Sequence, residues 1–177
     1  MREAGLLAGP RRPMPFQWYA LVVKPNHEKA VFEHLSVSAY EAVLPLYRSR
    51  RRWSDRVKEV TLPLFPGYVF CRFSYRSRVR VLRIPSVRSV VAAGSEPAPI
   101  PDWEIEAIQA VIRSGLPVKP WPFLKVGQRV VVTAGPLRGV EGILVEFRKT
   151  WQVIVSVELL QRSVATEVDL DSVSPLK

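Results

Sequence analysis

Cysteine is nearly absent from this chain: Cys71 is the single one, and only His27 and His34 accompany it. That shortage excludes a disulfide framework and any zinc site built from the chain's own cysteines and histidines. Acidic residues are in deficit, 16 Asp and Glu against 26 Lys and Arg, which leaves a net charge of +10. No apolar run reaches the roughly 18 residues that a membrane-spanning helix requires. Gly5-Leu6-Leu7-Ala8-Gly9 near the start is too short and too interrupted for a secretory signal. A glycine loop of Walker type, a G-x-S-x-G elbow and a paired-carboxylate motif are missing too, so no enzyme, cofactor or metal is expected. His27 and His34, seven apart with no partnering carboxylate or cysteine, read as surface or capping residues.

What is present is enough apolar material for packed cores. The hydrophobic fraction is 47%, with five Trp, five Tyr and seven Phe, which argues against disorder. Cys71, in the middle of an apolar run, reads as a small buried hydrophobe in a cytoplasmic protein. The charge is concentrated. Residues 48–88 hold 12 Lys and Arg against Asp55 and Glu59, whereas residues 124–177 hold seven basic against six acidic. A basic first part and a near-neutral second part point to a polyanion, such as nucleic acid, as the partner of the first.

The pattern along the chain divides it. Residues 1–15, rich in Pro, Gly and Arg, read as a disordered extension, with Met14 as an alternative start. Residues 17–23 read as a strand stopped by Pro25. Asn26 as N-cap and Glu28 in the first turn then open a helix through about Ser38. Val43-Leu44-Pro45 is a short strand. Residues 47–62 alternate loosely about Ser54-Asp55 and read as an exposed hairpin, its outbound arm carrying Arg48, Arg50, Arg51 and Arg52 beside Trp53, its return arm Arg56 and Lys58. Guanidinium groups suit phosphates, and Trp53 suits stacking on a base. Pro63 and Pro66 cannot donate to a ladder, so Leu64 to Gly67 form a rigid corner feeding the buried strand of Tyr68-Val69-Phe70-Cys71. Residues 74–84, with Arg76, Arg78, Arg80 and Arg83, fit a short amphipathic helix, and residues 87–93 a strand. Pro101, Asp102 and Glu104 open a helix whose stripe is Ile105, Ile108 and Ile112. The whole is α+β: an antiparallel sheet flanked by helices over residues 16–114, then a stiff Pro-rich linker at 115–123. The third part, 124–177, carries short Val-rich strands at 129–133, 142–147, 152–159 and 164–168, with Gly127, Gly135, Gly139 and Gly142 at the turns. That rhythm fits a small SH3-like β-barrel.

Three motifs in this order carry a resemblance. Trp18-Tyr19-Ala20, Leu64-Phe65-Pro66-Gly67-Tyr68-Val69 and the stretch from Val126-Gly127 through Val131-Val132-Thr133-Ala134-Gly135-Pro136-Leu137-Arg138-Gly139-Val140-Glu141-Gly142 resemble, respectively, the start of the NGN domain, the FPGYV signature and the KOW motif of the NusG family of transcription elongation factors. The resemblance covers the chain from about Phe16 onward. It implies a factor whose NGN domain docks an aromatic pocket on the clamp helices of RNA polymerase and suppresses pausing or termination. Its KOW barrel would recruit a partner such as Rho or NusE.

Carried over by position, the polymerase contacts are Trp18, Tyr19, Val22, Phe65, Pro66, Gly67 and Tyr68, with Ser77, Arg78 and Arg80 towards the opposite jaw. Lys24, His27 and Arg88 would border the non-template DNA strand together with the arginine hairpin. Leu137, Arg138, Val140 and Phe147 would meet the KOW partner. Val140 stands where housekeeping members tend to carry Phe, and the Trp53-Ser54-Asp55-Arg56 hairpin is closer to operon-specific paralogues, so the resemblance leans to a specialised antiterminator. A KOW-containing ribosome- or RNA-binding protein is the alternative; it predicts charge on the barrel, which is nearly neutral here. A monomer is expected. The β-branched runs of the barrel penalise helix, so a permanent β-structure is expected, held apart from the first domain with the Phe65–Tyr68 corner uncovered.

Overall fold

A computed structural model describes residues 16–52, 57–94, 96–121, 127–147, 150–169 and 172–176. The first unit is built on β1 (Gln17–Val23), whose apolar and β-branched residues leave it central in a four-stranded antiparallel sheet ordered β2-β5-β1-β6. Its neighbours are β5 (Tyr68–Phe73) and β6 (Val87–Val90), and β2 (Glu41–Val43) pairs on the outer side of β5.

The two faces of β1 alternate as a period of two requires. Tyr19, Leu21 and Val23 point to a core shared with Val31 and Leu35 of α1 (Glu28–Val37) and Val81 of α2 (Arg78–Leu82). Trp18 and Ala20 point the other way, to a core shared with Ile105, Ile108 and Val111 of α3 (Asp102–Arg113). Helices thus cover both faces of an antiparallel sheet, as the residue pattern predicts. Two details differ. Asn26 does not cap α1, because it turns through φ 65° and hands the N-cap to His27. The helix expected over residues 74–84 is a 3₁₀ turn (Tyr75–Ser77) running into the five residues of α2. No helix among the described residues is long and apolar enough to cross a membrane.

Strands β3 (Leu46–Arg52) and β4 (Val57–Pro63) pair in strict antiparallel register from Leu46↔Pro63 to Arg52↔Val57, giving the expected basic hairpin. Its turn, with Trp53 and Arg56, lies outside the described residues. A second small ribbon joins β7 (Ala92–Ala93) to β8 (Glu96–Pro97).

Among the described residues of the C-terminal part the extended elements are all strands, with a 3₁₀ turn at Glu158–Leu160. Strands β9 (Val118–Trp121), β10 (Gln128–Val132), β11 (Glu141–Phe147), β12 (Thr150–Val157), β13 (Arg162–Glu167) and β14 (Val173–Pro175) form one antiparallel sheet ordered β14-β10-β11-β12-β13-β9. Gly142 lies inside β11 rather than at a turn. A Cβ there would sit 2.5 Å from the Ile154 carbonyl oxygen, so the close approach of β12 demands glycine.

The stretch expected to be a bare linker is partly structure: Val118–Trp121 adds to β13 through Val118↔Thr166 and Pro120↔Val164. The two parts are not held apart. Trp18, Phe65, Phe70, Ile105 and Ile108 of the first unit and Val130, Leu137, Val153, Val157, Leu160 and Val164 of the second form one continuous buried cluster. Once β9 ties the connection to β13, the apolar stripe of α3 has a surface within reach, and burial favours contact over separation.

Candidate functional site

The corner after β4 is fixed from several sides. Leu64 N–H donates to Pro45 O at 2.9 Å, and Tyr68 N–H to Phe65 O at 3.1 Å. Gly67 takes φ 84°, a left-handed value for which glycine is suited, and its carbonyl accepts Val23 N–H at 2.9 Å. Its own N–H donates to Oε1 of Glu28 at 2.8 Å, a carboxylate buried at the start of α1. Phe65 lies edge-on to Phe70 with ring centroids 5.3 Å apart. Val22 pairs with Tyr68 in register.

The structure therefore brings Trp18, Val22, Phe65 and Tyr68 to one face of the sheet, with exposed Pro66 and half-buried Gly67 at its rim. Tyr19 is separated from them. It packs on the opposite face against Phe73 at 4.8 Å, and its hydroxyl donates to Gln17 Oε1 at 3.2 Å. Burial, with the neighbouring Tyr75 second, pushes the Tyr19 hydroxyl above its ordinary value. Adjacency in sequence put Trp18 and Tyr19 together; the pleat puts them apart.

Ser77, Arg78 and Arg80 also lie away from the corner, on the side of α1 and α2. Ser77 Oγ donates to Ser74 O at 2.7 Å, and the Arg78 guanidinium sits 4.6 Å from the centre of the Tyr75 ring. Arg80 is exposed beside Val79 and Leu82, which are exposed too.

A basic rim borders the corner. Lys24 follows Val23 directly, its N–H donating to Ser86 O at 2.9 Å; Arg88 is exposed on the adjoining strand β6. His27 caps α1 one residue before Glu28, and its Nδ1–H donates to Pro25 O at 3.0 Å. Arg48 is exposed on β3. The backbone of Arg50, Arg51, Arg52 and Lys58 runs in the hairpin strands.

In the C-terminal sheet the loop from Gly135 to Val140 is wrapped on itself, Gly139 N–H donating to Val132 O at 2.7 Å. Leu137 and Val140 are buried in the shared cluster and Arg138 is exposed. Phe147 ends β11 opposite Thr150.

Three residues matter that the motifs did not single out. Glu28 holds the Gly67 turn. Arg162, at the start of β13, places its guanidinium 5.9 Å from the centre of the Tyr68 ring, so the C-terminal sheet lies over the corner. Phe65 is only 1% exposed. The corner is covered, not open as the stiff linker suggested. Glu104 is the third: on α3 it is 3% exposed, although an acidic residue at a helix start reads as a solvated one. Only hydrophobic spacing could have flagged it, since it shares a face with Ala107, Ile108 and Val111.

Cys71 is fully buried in β5, and burial, with Glu41 second, pushes its thiol up to about 12.

Residues 16–109 match the family described as "Transcription termination factor nusG". A relative, the transcription termination/antitermination protein NusG of Lactococcus lactis subsp. lactis (strain IL1403), is 24% identical over 173 residues, covering 90% of this chain and 93% of its own. Among solved structures, one concerned with domain interaction in Thermotoga maritima NusG aligns with a TM-score of 0.54 at 24% identity, covering 92% of this chain and 98% of that one.

Proposed function

The chain belongs to the NusG family of transcription termination and antitermination factors, and from that premise we propose that it rides on RNA polymerase as a non-enzymatic elongation factor of the cytoplasm. Residues 16–114 act as the polymerase-binding NGN domain and residues 124–177 as an SH3-like KOW barrel. The observation that carries this reading is the apolar face of Trp18, Val22, Phe65 and Tyr68 on a rigid turn, rimmed by Lys24, His27 and Arg88. An apolar anchor inside a basic rim suits a protein groove beside a nucleic acid. The anchor docks on the clamp helices, with Pro66 and Gly67 at its edge. Ser77, Arg78 and Arg80 face the opposite jaw. The basic rim and the hairpin of Arg48, Arg50, Arg51, Arg52, Trp53, Arg56 and Lys58 meet the non-template DNA strand.

Bridging the cleft holds the clamp closed, which suppresses pausing without any bond chemistry. Leu137, Arg138, Val140 and Phe147 receive the KOW partner, Rho or NusE being the candidates. Because Leu137 and Val140 are buried in the same cluster as Phe65, both binding surfaces come free when the two parts separate. The Val140 position and the arginine hairpin favour an operon-specific paralogue.

The test is capture of the full chain by core RNA polymerase. Interface aromatics cost about 2 kcal/mol or more on truncation, so Phe65→Ala with Tyr68→Ala should weaken capture by at least roughly 30-fold. Phe65 also supports the core, so Tyr68→Ala alone, at a half-buried position, is the companion variant that preserves folding. Capture that survives both changes in folded protein excludes this face.

A further inference from the structure

We propose that Glu104 is a proton-operated clasp between the two parts of the molecule: it holds the C-terminal sheet over the Phe65–Tyr68 corner while its carboxyl is protonated, and lets the sheet go when it ionises. This regulation rests on the reading of the corner as the polymerase-binding face. The geometry is specific. Helix α3 packs on β12, and the 3₁₀ turn at Glu158–Leu160 follows that strand directly. The Glu104 carboxyl is buried beside Glu158, the first residue of that turn, so it sits where the two parts meet. One of its oxygens, Oε2, is buried with no hydrogen-bond partner among the described residues. An ionised carboxylate buried with one oxygen unsatisfied is costly, whereas the neutral acid loses far less on leaving water.

The surrounding charges act in the same direction. Ile100 and Pro101 just before α3, and Ala107 and Ile108 one turn along it, are all uncharged. Asp102 and Glu106 are exposed, and Asp102 is engaged with Arg72 at 3.3 Å. Strand β1 offers Trp18 and Ala20 on this side. From the C-terminal sheet the facing charge is another carboxylate, Glu158. Arg129 and Glu141 line the groove beside Trp103 and Glu158, but pair with each other at 3.2 Å. Burial first, and the Glu158 carboxylate after it, raise the Glu104 carboxyl from 4.5 to about 7, against the opposing influence of the Glu158 backbone N–H.

The sign follows from linkage. Undocked, Glu104 returns to water and to its ordinary value. The closed form therefore binds the proton more tightly than the open one. Docking is at full strength below pH 4.5, weakens as pH rises through about 7, and is weakest and level above that. Within the window each pH unit costs up to about tenfold in the docking constant. Opening at neutral to alkaline pH uncovers Tyr68 and frees Leu137 and Val140 together.

The test is carbon-13 NMR of the full chain, following the Glu104 carboxyl and the Tyr68 ring from about pH 5 to about pH 9. The expected result is one transition shared by both signals, above the ordinary carboxylate value of 4.5 and no higher than about 7. Glu104→Gln, a close isostere of the protonated acid, should stay docked across the range with a Tyr68 signal independent of pH. Glu158→Gln, at an exposed position, should move the transition to lower pH. A Glu104 titration in the ordinary carboxylate range, or a Tyr68 environment insensitive to pH in the unmodified chain, overturns the clasp. So does a transition that survives Glu104→Gln. These readouts need no polymerase. If they hold while capture by polymerase ignores pH, the clasp stands and the assignment of the binding face fails.

Discussion

Glu28 joins a helix to a turn across 39 positions of sequence through a single hydrogen bond to Gly67. Without that acceptor the Gly67 N–H loses its partner in a half-buried place, and the left-handed turn loses a support. Glu28→Ala should therefore destabilise the fold by about 1–3 kcal/mol, read as a lower midpoint in urea denaturation. Glu28→Gln, which keeps an acceptor oxygen, should recover most of the loss. An unchanged midpoint in the alanine variant would mean that water serves Gly67 equally well. The role of Glu28 was not legible beforehand: an acid in a first helical turn is explained by the helix dipole alone, and nothing local announces a partner so far along the chain. Cys71, by contrast, was read correctly as a buried hydrophobe, because its neighbours Val69, Phe70 and Phe73 leave a strand no solvent-facing choice. Trp18 and Tyr19 lie between these cases. Their strand was evident, but a motif names adjacent residues while a pleat divides them between faces.

Among elements, the hairpin β3–β4 was the clearest in the sequence, since alternating residues between prolines leave few other solutions. Its arginines form the strongest concentration of charge in the chain. If they contact phosphates, binding to single-stranded DNA should fall with salt at a log–log slope near −0.7 for each contact. Changing Arg50, Arg51 and Arg52 to Ser should then weaken binding and flatten the slope, by about 2 if all three contact phosphate. An unchanged slope would make the run a solubilising edge that discourages strand addition. Strand β9 was the least legible element. Three prolines between Leu116 and Phe123 suggest a rod, yet Pro120 pairs with Val164 at the outer edge of the sheet, where its missing N–H costs nothing. Strands β10 to β13 were legible because runs such as Val130 to Val132 and Val153 to Val157 are β-branched; β14, three residues ending at Pro175, was not read. Glycine was a weaker guide, for Gly142 serves a close approach rather than a turn.

At the scale of the whole molecule, both halves were legible as separate patterns and their contact was not. Docking depends on which apolar face of one unit fits the other, and no periodicity encodes that. The stripe of α3 could be read as core; that part of the core comes from the C-terminal sheet could not. Under the proposed function, one apolar corner has two successive occupants, first the chain's own C-terminal sheet and then RNA polymerase. Photo-crosslinking from position 68, with Tyr68 replaced by benzoylphenylalanine, tests this most directly. In the free chain the probe should join to the neighbourhood of Arg162, within the same molecule. In an assembled elongation complex that product should disappear and be replaced by a crosslink to the clamp helices of the polymerase. Retention of the internal crosslink in complexes that contain the protein would contradict the account.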